Sequence, residues 1–231
     1  NNVGLHNTEY GYTLGGSTSP SVTFTSYNQR LEFANDTTTA SPKGNLTQNK
    51  NYGAGAGNQS YGYYSGGGTP SRISSVERLD YSSDTATLAP KGPLSRVVNE
   101  HDAAGNADYG YHAGGWDPSS PYSNVTDRID YASDTSTALV KAILSYPGRH
   151  GPTATGNSTH GYFGGGYHGT IGTLSSIRRL DYANDTAALA SKGPLSGSAR
   201  YKGATGNANY GYYNTGAAGS GSNGSGIDRL D

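Results

Sequence analysis

Short apolar stretches alternate with turn-forming residues along the whole chain, and the same alternation recurs about every 50 residues. Tyr-Gly-Tyr or a close variant begins at Tyr10, Tyr61, Tyr109, His160 and Tyr210. Arg, then Leu or Ile, then an acidic residue begins at Arg30, Arg78, Arg128, Arg179 and Arg229. Because two independent motifs share one period, we interpret the chain as five copies of one unit.

Each unit contains four short segments whose residues favour extended backbone, separated by turn signals. In the fourth unit these segments are Thr153–Thr155, His160–Phe163, Ser176–Tyr182 and Thr186–Ala190. No stretch has apolar residues at the helical spacing, so helices are not predicted. The pattern predicts an all-β fold, a five-bladed β-propeller with about four strands per blade, and a parallel β-helix is the alternative. We expect one domain, 1–231, with an incomplete fifth blade and approximate repeats 1–48, 49–96, 97–148, 149–198 and 199–231.

Composition narrows the possible functions. The 231 residues include 36 Gly and 20 Tyr, as expected for a chain rich in turns and strands. The net charge of −1 argues against a nucleic-acid partner. The absence of Cys excludes disulfides and thiolate metal sites. No apolar run reaches the length of about 18 residues that a membrane-spanning helix needs, so no membrane insertion is predicted.

The unit resembles a kelch repeat, which implies a propeller fold. Tyr162-Phe163-Gly164-Gly165 resembles the strand that ends in two glycines, and Ile177–Tyr182 resembles the strand that ends in Tyr and Asp. Gly193–Ser196, followed by Arg200, resembles the connection to the next blade. The usual fourth-strand Trp is replaced by small residues such as Thr87, Thr137 and Ala188. The repeats are also similar to those of repeat proteins of marine bacteriophages, which implies a virion or tail-associated role.

Glycine runs follow the Tyr-Gly-Tyr motif in the first four units. They are Gly15-Gly16, Gly66–Gly68, Gly114-Gly115 and Gly164–Gly166. A nucleotide-binding loop would need a helix directly after it, so that the helix N-terminus meets the phosphate. No helix is predicted there, and the run recurs from unit to unit. We therefore predict a structural role, in which glycine permits positive φ and close backbone approach.

An acidic residue recurs in the predicted turn after the third strand, at Asp36, Asp84, Asp134 and Asp185. Such residues could bind a metal or act as catalytic acids. Equivalent positions of separate blades lie too far apart to form one site. We therefore predict that they accept backbone N–H bonds in their turns, and we expect no metal and no cofactor.

Basic residues recur at two places in the unit. In the Arg-x-Asp pairs, such as Arg78 with Asp80, both side chains lie on one face of a strand, which predicts ion pairs between blades. A ring of arginines facing a ligand is the alternative. Other basic residues precede the first strand of each blade, near the mouth of the channel that the kelch resemblance implies; they are Lys50, Arg96, Arg149 and Arg200. They could bind anions or acidic sugars, or donate to loop carbonyls.

The loops after the glycines vary most from unit to unit, and a propeller places binding specificity in such loops. Trp116 beside Asp117 resembles a sugar-stacking site, although this Trp could instead cover a blade edge. Tyr167 and His168 lie in the equivalent loop of the fourth unit. The candidate ligand-binding residues are therefore Trp116, Asp117, Tyr167, His168, Arg96, Arg149 and Arg200.

These patterns predict a non-enzymatic structural or adhesive module of a virion or extracellular assembly. A lectin-like propeller is the main alternative, and a propeller glycosidase or lyase is a third. The expected partners are other protein subunits or a cell-surface glycan, bound through the variable loops. An open strand edge at Arg229–Asp231 could also pair with a strand of a partner, or the chain could continue beyond it.

Overall fold

Five antiparallel sheets form a ring, and each sheet is one blade of a β-propeller. The computed structural model describes residues 2–18, 23–214 and 226–231. Within these ranges the chain contains strands and short 3₁₀ turns and no α-helix. The prediction of an all-β, five-bladed propeller is confirmed.

The first two blades each contain four strands, and a small hairpin lies in the variable loop of blade 1. Blade 1 has strand order β1-β2-β5-β6, and blade 2 has order β7-β8-β9-β10. The bounds are β1 Val3–His6, β2 Tyr10–Leu14, β3 Ser17–Thr18, β4 Thr23–Phe24, β5 Asn28–Glu32, β6 Ser41–Pro42, β7 Ala54–Gly57, β8 Tyr61–Ser65, β9 Val76–Asp80 and β10 Ala89–Lys91.

Blades 3 and 4 repeat this order, and blade 5 has three strands within the described residues. The sheets are β11-β12-β13-β14, β15-β16-β19-β20 and β21-β22-β23, with β17–β18 as a loop hairpin in blade 4. The bounds are β11 Asp102–Gly105, β12 Tyr109–Ala113, β13 Val125–Asp130, β14 Leu139–Ile143, β15 Thr153–Gly156, β16 His160–Gly164, β17 Tyr167–His168, β18 Gly172–Thr173, β19 Ile177–Asp181, β20 Ala190–Lys192, β21 Ala204–Gly206, β22 Gly211–Asn214 and β23 Ile227–Leu230.

The innermost strand of every blade lines a central cavity of about 540 Å³. These strands consist largely of glycine and alanine, as in Ala54–Gly57, because adjacent inner strands approach closely around the axis. An added Cβ at Gly55 would lie 2.4 Å from a Val3 side-chain carbon of blade 1. A small residue at Gly55 is therefore a packing requirement, because the inner strand of blade 1 carries Val3 and Leu5.

An asparagine closes the hairpin between the first two strands of each blade. The side chain of Asn58 accepts the backbone N–H groups of Ser60 and Tyr61, both at 2.9 Å. Asn106 accepts those of Asp108 and Tyr109 in the same way. This Asx turn explains why Asn stands three residues before the Tyr-Gly-Tyr motif.

The predicted fourth strand of blade 4, Thr186–Ala190, is wrong: the strand is Ala190–Lys192. A 3₁₀ turn covers Tyr182–Asn184, and Asp181 caps it by accepting the backbone N–H of Ala183. The turn therefore extends further than the sequence pattern indicates, and the threonine and alanine residues after it belong to the connection rather than to the strand.

The glycine pairs connect successive blades through their backbone. Gly15 and Gly16 have φ of 63° and 101°, and Gly16 donates its N–H to Lys50 O of blade 2 at 2.7 Å. The equivalent bonds join Gly67 to Val98 O, Gly115 to Arg149 O and Gly166 to Ala199 O. Positive φ at two successive residues favours glycine strongly. These bonds account for the glycine runs without a phosphate ligand.

Stacked tyrosines fill the space between neighbouring blades. Tyr63 of blade 2 stacks on Tyr131 of blade 3 with ring centroids 4.7 Å apart. The corresponding pairs are Tyr12 with Tyr81 at 5.2 Å, and Tyr111 with Tyr182 at 5.0 Å. The second ring of each pair comes from the Leu/Ile-Asp-Tyr motif, so the repeated sequence itself supplies the aromatic packing between blades.

Candidate functional site

The recurring turn aspartates join neighbouring blades, which corrects the prediction that they cap their own turns. Asp134 Oδ2 accepts hydrogen bonds from the Tyr63 hydroxyl at 3.0 Å and from Arg78 Nη1 at 2.7 Å, and Lys91 Nζ lies 3.1 Å from Oδ1. All three donors belong to the preceding blade. Asp84 and Asp185 have the same three kinds of partner. Asp36 is exposed and has no ion pair among the described residues.

The Arg-x-Asp pairs also have partners other than the predicted ones. Arg78 forms its ion pair with Asp134 of the next blade, whereas Asp80 accepts the N–H of Ser82 as the cap of the 3₁₀ turn. The expectation of ion pairs between blades therefore holds for the arginine but not for its neighbouring aspartate. These arginines also lie over tyrosine rings of their own blades, with Arg78 4.2 Å from the Tyr61 centroid.

The basic residues before the first strands do not form an exposed ring at the channel mouth, and the alternative that they donate to loop carbonyls is confirmed for two of them. Arg96 Nη2 donates to Gly114 O at 2.8 Å, and Arg149 Nη1 donates to Gly165 O at 2.9 Å. Lys50 and Arg149 are completely buried, and Arg96 is half-buried beneath the loop of blade 3. Lys50 pairs with Glu77, and Arg96 pairs with Asp127 and, at 3.4 Å, with Asp117. Arg200 lies over the rings of Tyr167 and Tyr201 at 4.9 and 5.1 Å.

Asp117 is a buried loop residue and not a free carboxylate beside Trp116. Its Oδ1 accepts the backbone N–H groups of Ser119 and Ser120 at 2.9 and 2.8 Å. Burial by itself would raise the pKa of Asp117, but the bonds from Ser119, Ser120 and Ser123 lower it below its ordinary value. Its carboxylate therefore holds the loop that presents Trp116.

The remaining candidates lie together on one end of the propeller, where the glycine pairs and variable loops are. We define the aromatic surface as the residues Trp116, Tyr122, Tyr146, Tyr167, His168 and Tyr201 around His150. The His150 ring centroid lies 5.3 Å from that of Tyr167, 5.8 Å from that of Tyr122 and 6.2 Å from that of Trp116.

Blades 3 and 4 contribute their variable loops to this surface. Tyr122 of blade 3 lies 4.6 Å from the ring of His168 of blade 4, and Tyr146 lies 5.8 Å from the same ring. Tyr146 is 73% exposed and Trp116 is 39% exposed. The guanidinium of Arg72 lies over one side of Trp116, 4.1 Å from the ring centroid. Arg72 Nε also donates to Asn99 Oδ1. The surface is thus aromatic, with cationic side chains at its edges.

A charged hydrogen-bond network fixes the inner edge of the aromatic surface. Glu100 Oε2 lies 2.6 Å from His150 Nδ1 and accepts the Tyr201 hydroxyl at 2.8 Å. Burial alone would raise the pKa of Glu100, but these two hydrogen bonds lower it. Glu100 and Tyr201 also line a pocket of about 140 Å³ at the mouth of the central cavity. The network therefore connects blades 3, 4 and 5 at one point.

Sequence reasoning found Trp116, Tyr167, His168 and Arg200 but missed His150, at the centre of the surface. His150 directly follows Arg149, and the recurring basic residues mark this segment, but no other unit has a histidine there, so His150 itself gave no signal. Tyr122 and Tyr146 were also missed, although Tyr122 lies in a variable loop that had been singled out. Glu100 lies in a segment between two blades, where the repeat is least regular.

No protein-family model matches the chain, and no curated protein matches it in sequence. Among the residues that the structure describes, no group of three or more His, Asp or Glu side chains is placed to hold a metal ion. None of the described residues forms a helix that is long and apolar enough to cross a membrane.

Proposed function

We propose that this propeller is a non-enzymatic binding module that contacts its partner through the aromatic surface. The observation that carries the proposal is the convergence of the variable loops of blades 3 and 4 on one exposed aromatic patch. Exposed aromatic clusters beside arginines are typical of protein interaction sites. Trp, Tyr and Arg are also the residue types that most often dominate binding energy.

The repeated residues support a scaffold role rather than a catalytic one. The tyrosines, arginines and aspartates of the motif are engaged between blades, as in the group around Asp134. The loops are the part of each unit that differs, so they are free to determine specificity. We infer adhesion within an extracellular or virion assembly because the repeats resemble those of marine bacteriophage repeat proteins.

A glycan partner is the second candidate, favoured by the exposure of Tyr146 and Trp116. Aromatic rings stack on the apolar faces of sugar rings, and the Arg72 guanidinium already covers one side of Trp116. Tyr146, at 73% exposed, offers the more accessible ring. A glycan would therefore be expected to stack on Tyr146 and on the side of Trp116 that faces away from Arg72.

Labelled protein applied to cell envelopes of a panel of marine bacteria tests the proposal. We expect binding by the wild type and its loss in the variant that combines Trp116→Ala with Tyr146→Ala. Phe33→Ala is the matched control. Phe33 is an exposed aromatic residue of blade 1, and it lies at the hairpin end of the propeller, opposite the end that carries the variable loops. Circular dichroism melting establishes that each variant is folded.

Treatment of the envelopes separates the alternatives. Protease treatment should abolish binding to a protein partner, whereas periodate oxidation should abolish binding to a glycan. Release of soluble sugar fragments by the wild type would contradict the non-enzymatic role. Undiminished binding by the double variant would show that the partner contacts another part of the molecule.

A further inference from the structure

Blades 2 and 4 each contain a completely buried cation at the same structural position. Lys50 and Arg149 both accept, through their backbone carbonyls, the N–H of the second glycine of the preceding blade, at 2.7 and 2.8 Å. Each also lies two residues before a residue with positive φ, Tyr52 or Gly151. Neither side chain is exposed to solvent.

In blade 2 a carboxylate neutralises this cation. Glu77, opposite Tyr64 in the sheet, is 1% exposed and pairs with Lys50 Nζ. Blade 3 has a related pair, because Asp127, opposite His112, binds Arg96. Blades 2 and 3 therefore both have an acid at the same position of the third main strand. In each blade this acid forms an ion pair with a cation that lies below the variable loop.

Blade 4 keeps the cation but replaces the acid with a second cation. The residue opposite Phe163, in the register position of Glu77 and Asp127, is Arg178. Among the described residues, neither Arg149 nor Arg178 forms an ion pair, and burial together with Arg178 lowers the pKa of Arg149 to about 10. Because that value lies well above 7, the Arg149 guanidinium is charged at neutral pH.

Several hydrogen-bonding groups around these arginines have no partner within the described chain. Arg149 Nη1 donates to the carbonyls of Gly165 and Ser176 at 2.9 and 3.1 Å, which leaves its buried Nε and Nη2 unpaired. Arg178 donates to Ser191 Oγ at 2.6 Å and to Tyr146 O at 3.1 Å, which leaves Nε unpaired. The Ser176 hydroxyl is also buried without a partner. Unsatisfied buried donors and uncompensated buried charges are both costly.

We propose that blade 4 binds a small monovalent anion of the size of chloride, held by the unpaired N–H groups of Arg149 and Arg178. The anion supplies the negative charge that Glu77 and Asp127 supply in the neighbouring blades. A monatomic anion fits this site better than phosphate or a sugar carboxylate, because the Arg149 side chain is inaccessible to bulk solvent. The site is structural and adjoins the aromatic surface from the inside, because Arg149 directly precedes His150 and Arg178 donates to Tyr146 O.

Thermal unfolding at constant ionic strength tests the proposal, with sodium chloride replacing sodium gluconate stepwise. Since the folded state alone binds the anion, the midpoint should rise by roughly 3–5 °C for each tenfold increase in chloride above its Kd. Arg178→Glu restores the acid of blade 2 and should remove the chloride dependence. Arg179→Gln, a neighbouring substitution on the other face of the strand, should retain it.

Bromide binding to the wild type provides a measurement that does not depend on a variant. Crystals grown in sodium bromide should show an anomalous peak beside Arg149 and Arg178, and none beside Lys50 and Glu77. The proposal is overturned if no peak appears there, or if stability is equal in chloride and gluconate. A peak without a chloride effect in solution would indicate an adventitious ion only, and it would also overturn the proposal.

Discussion

The contact between blades 2 and 3 contains a carboxylate whose counterpart in the fifth unit, by the spacing of Asp181 and Asp185 in the fourth, would follow Asp231, the last residue of the sequence. Between blades 2 and 3, the Asp134 carboxylate receives a tyrosine, an arginine and a lysine from the preceding blade. Between blades 4 and 5, the equivalent donors Tyr162, Arg179 and Lys192 meet no carboxylate within the described residues. Apolar packing connects those two blades instead, together with a 3.0 Å bond from the Tyr213 hydroxyl to Tyr162 O.

The contact between blades 2 and 3 shows that one motif has two roles. Strand pairing needs only the alternation of small and aromatic residues, which all five blades have. The connection between blades additionally needs the aspartate of the following unit. Substitutions at the joint between blades 2 and 3 should therefore change stability through this aspartate and its three partners.

The largest effect of a single substitution is expected from Asp134→Ala, which removes the shared acceptor between blades 2 and 3. Arg78 and Lys91 would remain partly buried without their counter-charge, so the free energy of unfolding should fall by about 3 kcal/mol. Urea denaturation measures this change. Asp36→Ala is the control and should change stability by less than about 0.5 kcal/mol, because Asp36 is exposed. Equal losses in the two variants would contradict the role of Asp134.

A pH effect should come from a buried histidine pair that is specific to the same contact. Ser65 of blade 2 lies 3.0 Å from His101 Nε2 and 2.8 Å from His112 Nδ1. Burial lowers the pKa of both histidines, that of His112 to about 3. Since the unfolded chain binds these protons more readily, stability is fully present above about pH 6.5 and is lost as pH falls towards the folded pKa values.

Urea denaturation between pH 7 and pH 5 measures this slope, with an expected loss of up to about 4 kcal/mol for the wild type, roughly half from each histidine. His112→Phe removes one of the two titrating groups and should reduce the slope, and blade 4 already has Phe163 at the equivalent position. An unchanged slope would show that other groups dominate.

Asp134 responds at lower pH. Burial would raise the pKa of Asp134, but Lys91, Tyr63 and Arg78 lower it, so this carboxylate adds a further loss of stability only below about pH 4.

The smallest effect is expected from removing one hydroxyl. Tyr63→Phe deletes the bond to Asp134 and should cost about 1 kcal/mol, whereas Tyr162→Phe should be close to neutral. Both variants retain their aromatic rings, so the comparison isolates the hydroxyl. Calorimetric unfolding measures the difference, and a larger loss for Tyr162→Phe would reverse the interpretation of the two contacts.

The period of the repeat was sufficient to predict the fold, because each unit must bury its apolar face against the next. The partners of individual charges were not predictable in the same way. Arg78 is followed two residues later by Asp80, yet it binds Asp134, 56 residues away. Such a contact depends on how neighbouring blades are rotated relative to each other. The spacing of residues within one unit does not report that rotation.

The positions of the basic residues illustrate a second limit. Lys50 and Arg149 are equivalent, but Arg96 precedes the positive-φ residue Glu100 by four positions rather than two, and Arg200 precedes Tyr201 by one. An alignment of the units by charge alone therefore groups residues that differ in burial and in their interaction partners. Part of the aromatic surface was predictable because its loops differ in sequence from unit to unit. His150 was not, because it lies outside these loops and no other unit has a histidine at its position.

The central claim is that the repeated charged and aromatic residues join successive blades, which leaves the loops for binding. A double-mutant cycle on Arg78→Met and Asp134→Asn tests it most directly, with Arg78→Met and Asp80→Asn as the parallel cycle. We predict a coupling free energy of about 1–3 kcal/mol for Arg78 with Asp134, and less than about 0.5 kcal/mol for Arg78 with Asp80. Strong coupling within the motif, with none between the blades, would contradict the account.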